Sequence, residues 1–125
     1  MGDKKPRCIY SGEIEELHDG DSIAIGGELQ LVYNSYLNID FTSCDTQSII
    51  LIGDTLINFS NFINGKHCRL IIIQDDAGSR KVLFTNSLKW PQGILPILSI
   101  LPNSIDIFTF IKSRDIIYGD YLKNF

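Results

Sequence analysis

The sequence predicts an all-β fold, an antiparallel β-sandwich of jelly-roll type, and three observations carry that expectation. Isoleucine is the first: 21 Ile stand against only two Ala, Ala24 and Ala77. Ile is β-branched and packs well on a pleated sheet, whereas Ala is the strongest helix former. The second is period-two alternation of apolar and polar residues along much of the chain. The third is punctuation: Gly, Asn and Asp turn signals recur roughly every 8 to 15 residues, as in sandwiches and barrels.

Taken in order, the elements begin weakly. Glu13 to His18 fits one helical turn capped by Ser11. Short strands at Arg7 to Tyr10 and Ser22 to Ile25 about Asp19-Gly20 fit better with the rest of the chain. From Leu29 the signals strengthen. Leu29, Leu31 and Tyr33 alternate with Gln30, Val32 and Asn34, and Leu37, Ile39 and Phe41 alternate with Asn38, Asp40 and Thr42. Ile49 to Ile52 is continuously apolar and ends at Gly53-Asp54, with Leu56 to Phe59 expected to return as a hairpin. Asn64-Gly65 is the next turn. Arg69 to Gln74 reads as a strand, Asp75 to Ser79 as a turn, and Lys81 to Thr85 as the returning strand. Ile105 to Ile111 and Asp115 to Leu122 make a last pair.

Residues 86–103, NSLKWPQGILPILSILPN, break the pattern. Pro91, Pro96 and Pro102 cannot donate to a strand ladder and favour extended geometry before them. The expectation is an ordered, extended, apolar connection lying on a surface that covers it.

Ile49 to Ile52 and Leu70 to Ile73 are apolar on both faces. A solvated sandwich strand prefers one polar face. A loop, a helix or a second subunit could cover the other face; because the chain offers little helix, an oligomer is expected.

Bulk properties narrow the class. At 125 residues the chain is one domain's worth. Residues 1–28 carry seven acids and three bases and read as a separate anchor segment, leaving 29–125 as the β domain. The opening MGDKKPR is expected to move freely or to order on a partner. No apolar stretch near Met1 suggests a signal peptide, and no run is long enough for a membrane helix, so no membrane insertion is expected. A net charge of −4 gives no footprint for nucleic acid.

Chemistry is sparse. Cys8, Cys44 and Cys68 are an odd set without zinc spacing, and read as reduced thiols. His67 and Cys68 are adjacent on a strand, so they point to opposite faces and make a poor catalytic pair. His18 stands alone. Asp75 and Asp76 lack the ladder of a calcium loop and suit a turn completed by Gly78. Asp40, Asp45 and Asp54 carry no spacing that pairs them for acid–base work. Trp90, Tyr118 and Tyr121 could stack on a sugar, but Trp90 packed under the proline-rich loop and tyrosines placed on a strand fit better. No phosphate-binding or nucleophile-elbow motif occurs. The expectation is a protein that is not an enzyme and has no cofactor or metal.

The second half carries a specific series. Gly65 is followed by LIIIQDDAGSRKVLF at 70–84, KWPQGILPILS at 89–99, NSIDIFTF at 103–110 and YGDYLKNF at 118–125. In order and spacing, residues 65–125 resemble a short C-terminal β domain of tailed-bacteriophage head-fibre and tail-fibre proteins. Leu37 to Phe59 is more loosely similar to its preceding strands. The chain departs from that pattern in having Asp-Ala-Gly for the usual Thr-Gly turn. It also has Ile111 to Arg114 where an Asp-Gly-like turn is common.

The resemblance implies a non-catalytic virion protein assembled as a homotrimer, made in the host cytoplasm and exposed on the particle. It gives structural roles to Gln74, Asp75, Gly78, Trp90, Pro96, Asp106, Phe108 and Phe110. Gln74 and Asp106 would bond backbone at strand ends, Trp90 and Pro96 would fix the extended loop, and Phe108 and Phe110 would enter the core. The short length favours a capsid-attached head fibre or decoration protein over a long tail fibre. The charged segment with Lys4, Lys5 and Arg7 would anchor it to the major capsid protein or another virion protein. The alternative is a tail-associated module that recognises host-surface glycan.

Overall fold

The computed structural model describes residues 23–25, 27–42 and 45–125. The expected strand at Arg7 to Tyr10, the alternative turn at Glu13 to His18, the anchor residues Lys4, Lys5 and Arg7, and Cys8 and Cys44 lie outside them. The described residues form ten strands and one 3-10 turn. The strands are β1 (Ile23–Ile25), β2 (Glu28–Leu31), β3 (Tyr36–Asp40), β4 (Thr46–Leu51) and β5 (Thr55–Ser60). After them come β6 (His67–Gln74), β7 (Val82–Phe84), β8 (Leu88–Lys89), β9 (Ile105–Ser113) and β10 (Ile116–Leu122). The 3-10 turn is Pro91–Gly93.

The all-β expectation holds, but the strand pairing is not that of an antiparallel jelly roll. A seven-stranded sheet runs β1-β2-β4-β6-β9-β10-β8, and a three-stranded sheet runs β3-β5-β7. Five of the eight pairings among the described residues are parallel. From β2 to β7 the chain alternates between the sheets, laying β2, β4 and β6 in one and β3, β5 and β7 in the other. Parallel neighbours need a long crossover, which is usually a helix. Here each crossover is a strand of the opposite sheet, so the chain winds as a coil of three turns.

Two expected hairpins are therefore corrected. Gly53-Asp54 turns a corner between sheets: β4 has its edges on β2 and β6, while β5 lies between β3 and β7. The Tyr33 hydroxyl donates to the Asp54 carbonyl at 2.6 Å. Its oxygen lies 2.5 Å from where a Cβ on Gly53 would sit, so a side chain there would have to displace the Tyr33 ring end and its bond to Asp54. Likewise β7 does not return beside β6. It pairs with β5, because the edges of β6 are taken by β4 and β9. Among the expected pairs within the described residues, only the last is a hairpin, with Ile116 opposite Ser113 and Leu122 opposite Ile107. Its two turn residues, Arg114 and Asp115, both have left-handed backbone, φ 52° and 66°. That is the geometry of a two-residue turn matched to strand twist.

Alternation does predict the core. Leu37, Ile39 and Phe41 are buried from the small-sheet side, and Ile49, Leu51, Leu70, Ile72, Phe108 and Phe110 from the large-sheet side. These belong to one cluster between the sheets. Phe59 joins it edge-on to Phe110, with centroids 4.8 Å apart.

Candidate functional site

Residues singled out in the sequence gather where the chain leaves β6 and enters β9. The Gln74 side chain is buried, and its amide nitrogen donates to the carbonyls of Arg80 and Ser99, both at 2.9 Å. Its oxygen accepts the Arg80 N–H at 3.0 Å. One amide thus ties the β6–β7 connection to the proline-rich loop. Asp75 accepts the N–H groups of Ala77 and Gly78 at 3.1 Å and holds the Arg80 guanidinium in a two-point contact of 3.2 and 2.9 Å. The Arg80 hydrogen bond, more than the turn amides, holds the Asp75 carboxyl below its ordinary value. Gly78 has φ +69°, and a Cβ there would lie 2.5 Å from the Ile100 carbonyl oxygen. This turn is built for packing against the loop, and both Asp75 oxygens are engaged in it.

Asp106 holds the loop from its other side. It is 1% exposed, and its two oxygens accept the N–H of Ser99 at 2.7 Å and of Asn124 at 2.9 Å. Charge-assisted bonds from backbone amides to a carboxylate are the strong kind. Trp90 packs in a ring cluster with Phe84, Phe108 and Phe110, at centroid distances of 5.9 to 6.1 Å. Pro96 lies half-buried beside it, in a depression of about 260 Å³ shared with Leu95 and Leu98. Phe108 and Phe110 point to the same side of β9, 6.1 Å apart and stacked. Residues that sequence reasoning passed over also hold this frame. Asn86 accepts the Phe59 N–H at 2.7 Å, Asn64 caps Asp115 at 2.8 Å, and Lys112 donates to the Phe62 carbonyl at 2.8 Å. Being polar residues in loops and at a strand end, they carry no periodic signal.

The loop expected to lie covered is only half so. Pro96 and Leu98 turn inward, but Leu95 and Ile97 are each 71% exposed, and Ile94, Ile100 and Leu101 also face out.

The second faces of the doubly apolar strands are open in part, although Ser48, beside Ile71 on the same side, is buried. On the outer side of the large sheet, Ile50 and Ile52 are exposed, and Ile71 and Ile73 are half-exposed. Register extends this surface across the sheet. Ile73 stands beside Ile50 and Ile105, and Ile71 beside Ile107, whose other neighbour is Leu122. The outer side of the small sheet is mixed: Tyr36, Leu56 and Leu83 stand level across its three strands and are exposed. It also carries a polar row in which Asn58 donates to Asn38 at 2.7 Å and Thr85 donates to Asn58 at 3.1 Å. An aliphatic outer face is rare on a sheet with parallel pairs unless something covers it.

Groups with chemical potential are dispersed. His67 is exposed and Cys68 buried, on opposite sides of β6. Asp45 pairs with Lys66 at 2.9 Å, Asp54 accepts the Lys81 N–H at 2.9 Å, and Asp40 accepts from Thr42 and Asn61. Among the described residues no three His, Cys, Asp or Glu side chains gather as a metal site, and no helix is long and apolar enough to cross a membrane. Tyr121 stacks on Phe108 at 5.2 Å, and its hydroxyl accepts the Ile97 N–H. Tyr118 faces out and shares a shallow depression of about 340 Å³ with Trp90, Lys89 and Asp120. Set against family models, curated proteins and solved structures, the chain finds no match.

Proposed function

We propose that this chain is a non-catalytic structural protein of a bacteriophage particle, a capsid-attached head fibre or decoration protein that works as a homotrimer. The observation that carries the reading is the open aliphatic outer face of the large sheet, which a solitary subunit would leave in water. The resemblance of residues 65–125 to fibre domains supplies the setting and the number three. The bonds made by Gln74, Asp75, Gly78 and Asp106 fit that setting, since they brace one loop.

In this reading the protein is made in the host cytoplasm and displayed on the virion. Residues before the sheet, with Lys4, Lys5 and Arg7, attach it to the major capsid protein or a neighbour. Because β1 pairs with β2, the deletion that tests the anchor ends at residue 22. Native mass measurement of the purified chain should give a trimer. Immunogold labelling should place it on the head of the particle, and removal of residues 1–22 should abolish head binding while the trimer persists. A monomeric mass overturns the assembly reading, and labelling confined to the tail overturns the capsid one.

The depression holding Tyr118, Trp90, Lys89 and Asp120 favours one second reading, a tail-associated module that binds host glycan. Tyr118→Ala should then abolish a glycan-array signal seen with the parent chain. No array signal from the parent sinks that reading.

A further inference from the structure

We propose that the outer face of the large sheet is the surface on which copies of this chain close into a ring, about an axis running along β9. The inference rests on the trimeric reading above and assigns its interface. β9 lies between β6 and β10, and register places the outward residues in level rows. One row is Ile71, Ile107, Leu122, and the next is Arg69, Thr109, Asp120.

The charges decide the occupant. Arg69 and Asp120 are both exposed, opposite in sign, and equally distant from Thr109 on either side. Among the described residues neither has an ion-pair partner. Thr109 separates them by two strand spacings, about 10 Å, too far for direct contact within one subunit. Three copies related by rotation about an axis parallel to β9 keep every row at one height. The β6 side of each copy then meets the β10 side of the next. Arg69 falls against the neighbouring copy's Asp120, and Ile71 against the neighbouring copy's Leu122. Ile107 of all three copies points to the axis and makes an apolar layer. Such a heterologous contact closes because the rotation closes. Its parts are an aliphatic centre with a charge pair beside it, the composition of a specific protein interface. Tyr118 is drawn into the same contact, so assembly covers the depression beside it.

The test is charge reversal followed by native mass spectrometry and dilution. The parent chain should be trimeric. Arg69→Glu and Asp120→Lys should each raise the concentration at which the trimer dissociates by about tenfold or more, and the double variant should restore most of that loss. Ile107→Asp should give monomers whose circular dichroism matches the parent. If the parent is trimeric and all four variants remain so at parental concentrations, the interface lies elsewhere. The face is then covered by another occupant such as residues 1–22, and this inference falls while the trimeric reading stands. A dimeric parent overturns the three-fold closure. A parent that stays monomeric at high concentration overturns both.

Discussion

The ring of Trp90 fills the place where a side chain on Gly119 would be. A Cβ there would lie 2.6 Å from Trp90 Cζ3 and 3.0 Å from Phe110 Cε1. The glycine on β10 and the tryptophan after β8 are therefore one packing unit, which lets β8 dock parallel to β10 at Ile117 and Tyr118. Gly119→Ala should overpack the site and cost about 1–3 kcal/mol. Trp90→Ala should cost about 3 kcal/mol, the lower end for a large aromatic because the ring is only half-buried. Urea unfolding of both variants measures this. A Gly119→Ala midpoint equal to the parent's would show that the ring has free room to move.

Asp106 should matter through the amides it satisfies. Asp106→Ala leaves the buried N–H of Ser99 without its acceptor, and the part-buried N–H of Asn124 without its own. The expected loss is about 1–3 kcal/mol, most of it from the buried Ser99 amide, since the Asn124 amide can turn to water. Amide hydrogen exchange should speed up at Ser99 and Asn124 together. Acceleration at one alone would mean that the carboxylate does not join the loop to the chain end.

Strand positions were legible in the sequence because side-chain alternation is a local consequence of the pleat. Leu37, Ile39 and Phe41 could be assigned to the core from their spacing alone. Pairing was not legible in the same way. Gly53-Asp54 gives the same turn signal whether the chain folds back within one sheet or rounds a corner into another. The choice depends on β2 and β6 occupying both edges of β4, which is information from 20 or so residues away on either side. Among the motif residues, Gln74 and Asp106 were expected to bond backbone, and they do. Their partners Arg80, Ser99 and Asn124 could not be named, since nothing local ties Asn124 to β9. The aliphatic second face was visible as Ile50, Ile71 and Ile73, but its extension through Ile107 to Leu122 needed the register of three strands.

Acid should loosen the β6–β7 connection through Asp75. Its carboxyl titrates lower in the folded chain than in the unfolded one, chiefly because it accepts from Arg80. The contribution is therefore present above the ordinary carboxylate value of 3.8 and is lost as pH falls through the lower folded value. The pair is partly exposed to solvent, so the effect should be modest and weakened by salt. Asp75→Asn should flatten the acid limb of a plot of melting temperature against pH. An acid limb as steep as the parent's would assign the sensitivity to other carboxylates.

The β9–β10 turn carries strain that glycine would relieve. Arg114 holds φ 52° with a full side chain, and it precedes Asp115, which Asn64 caps on both its backbone and its carboxylate. Left-handed backbone costs a non-glycine residue about 1 kcal/mol or more. Arg114→Gly should therefore stabilise the fold by about 0.5–1 kcal/mol, after the extra freedom glycine gains in the unfolded chain is subtracted. Asp115→Gly should gain less, because it discards the Asn64 contact. A less stable Arg114→Gly variant would show that the turn is not strained at that position.

Cys68 should be inert while the chain is folded. Burial pushes its thiol from 9.0 up to about 12, with nearby Lys66 pulling it back and Asp45 adding to the rise. At pH 8 that leaves roughly a thousandfold less thiolate than a free cysteine has, and thiolate is the reactive form. With Cys8→Ser and Cys44→Ser in place, iodoacetamide at pH 8 should modify Cys68 no faster than the chain unfolds, and at once in denaturant. The same shift ties stability to alkaline pH. An unfolded chain releases the proton near 9 and the folded one only near 12, so stability is whole below pH 9 and declines between these values. Cys68→Ala should remove that decline at the cost of a small cavity, and a decline unchanged in Cys68→Ala would assign it to another group.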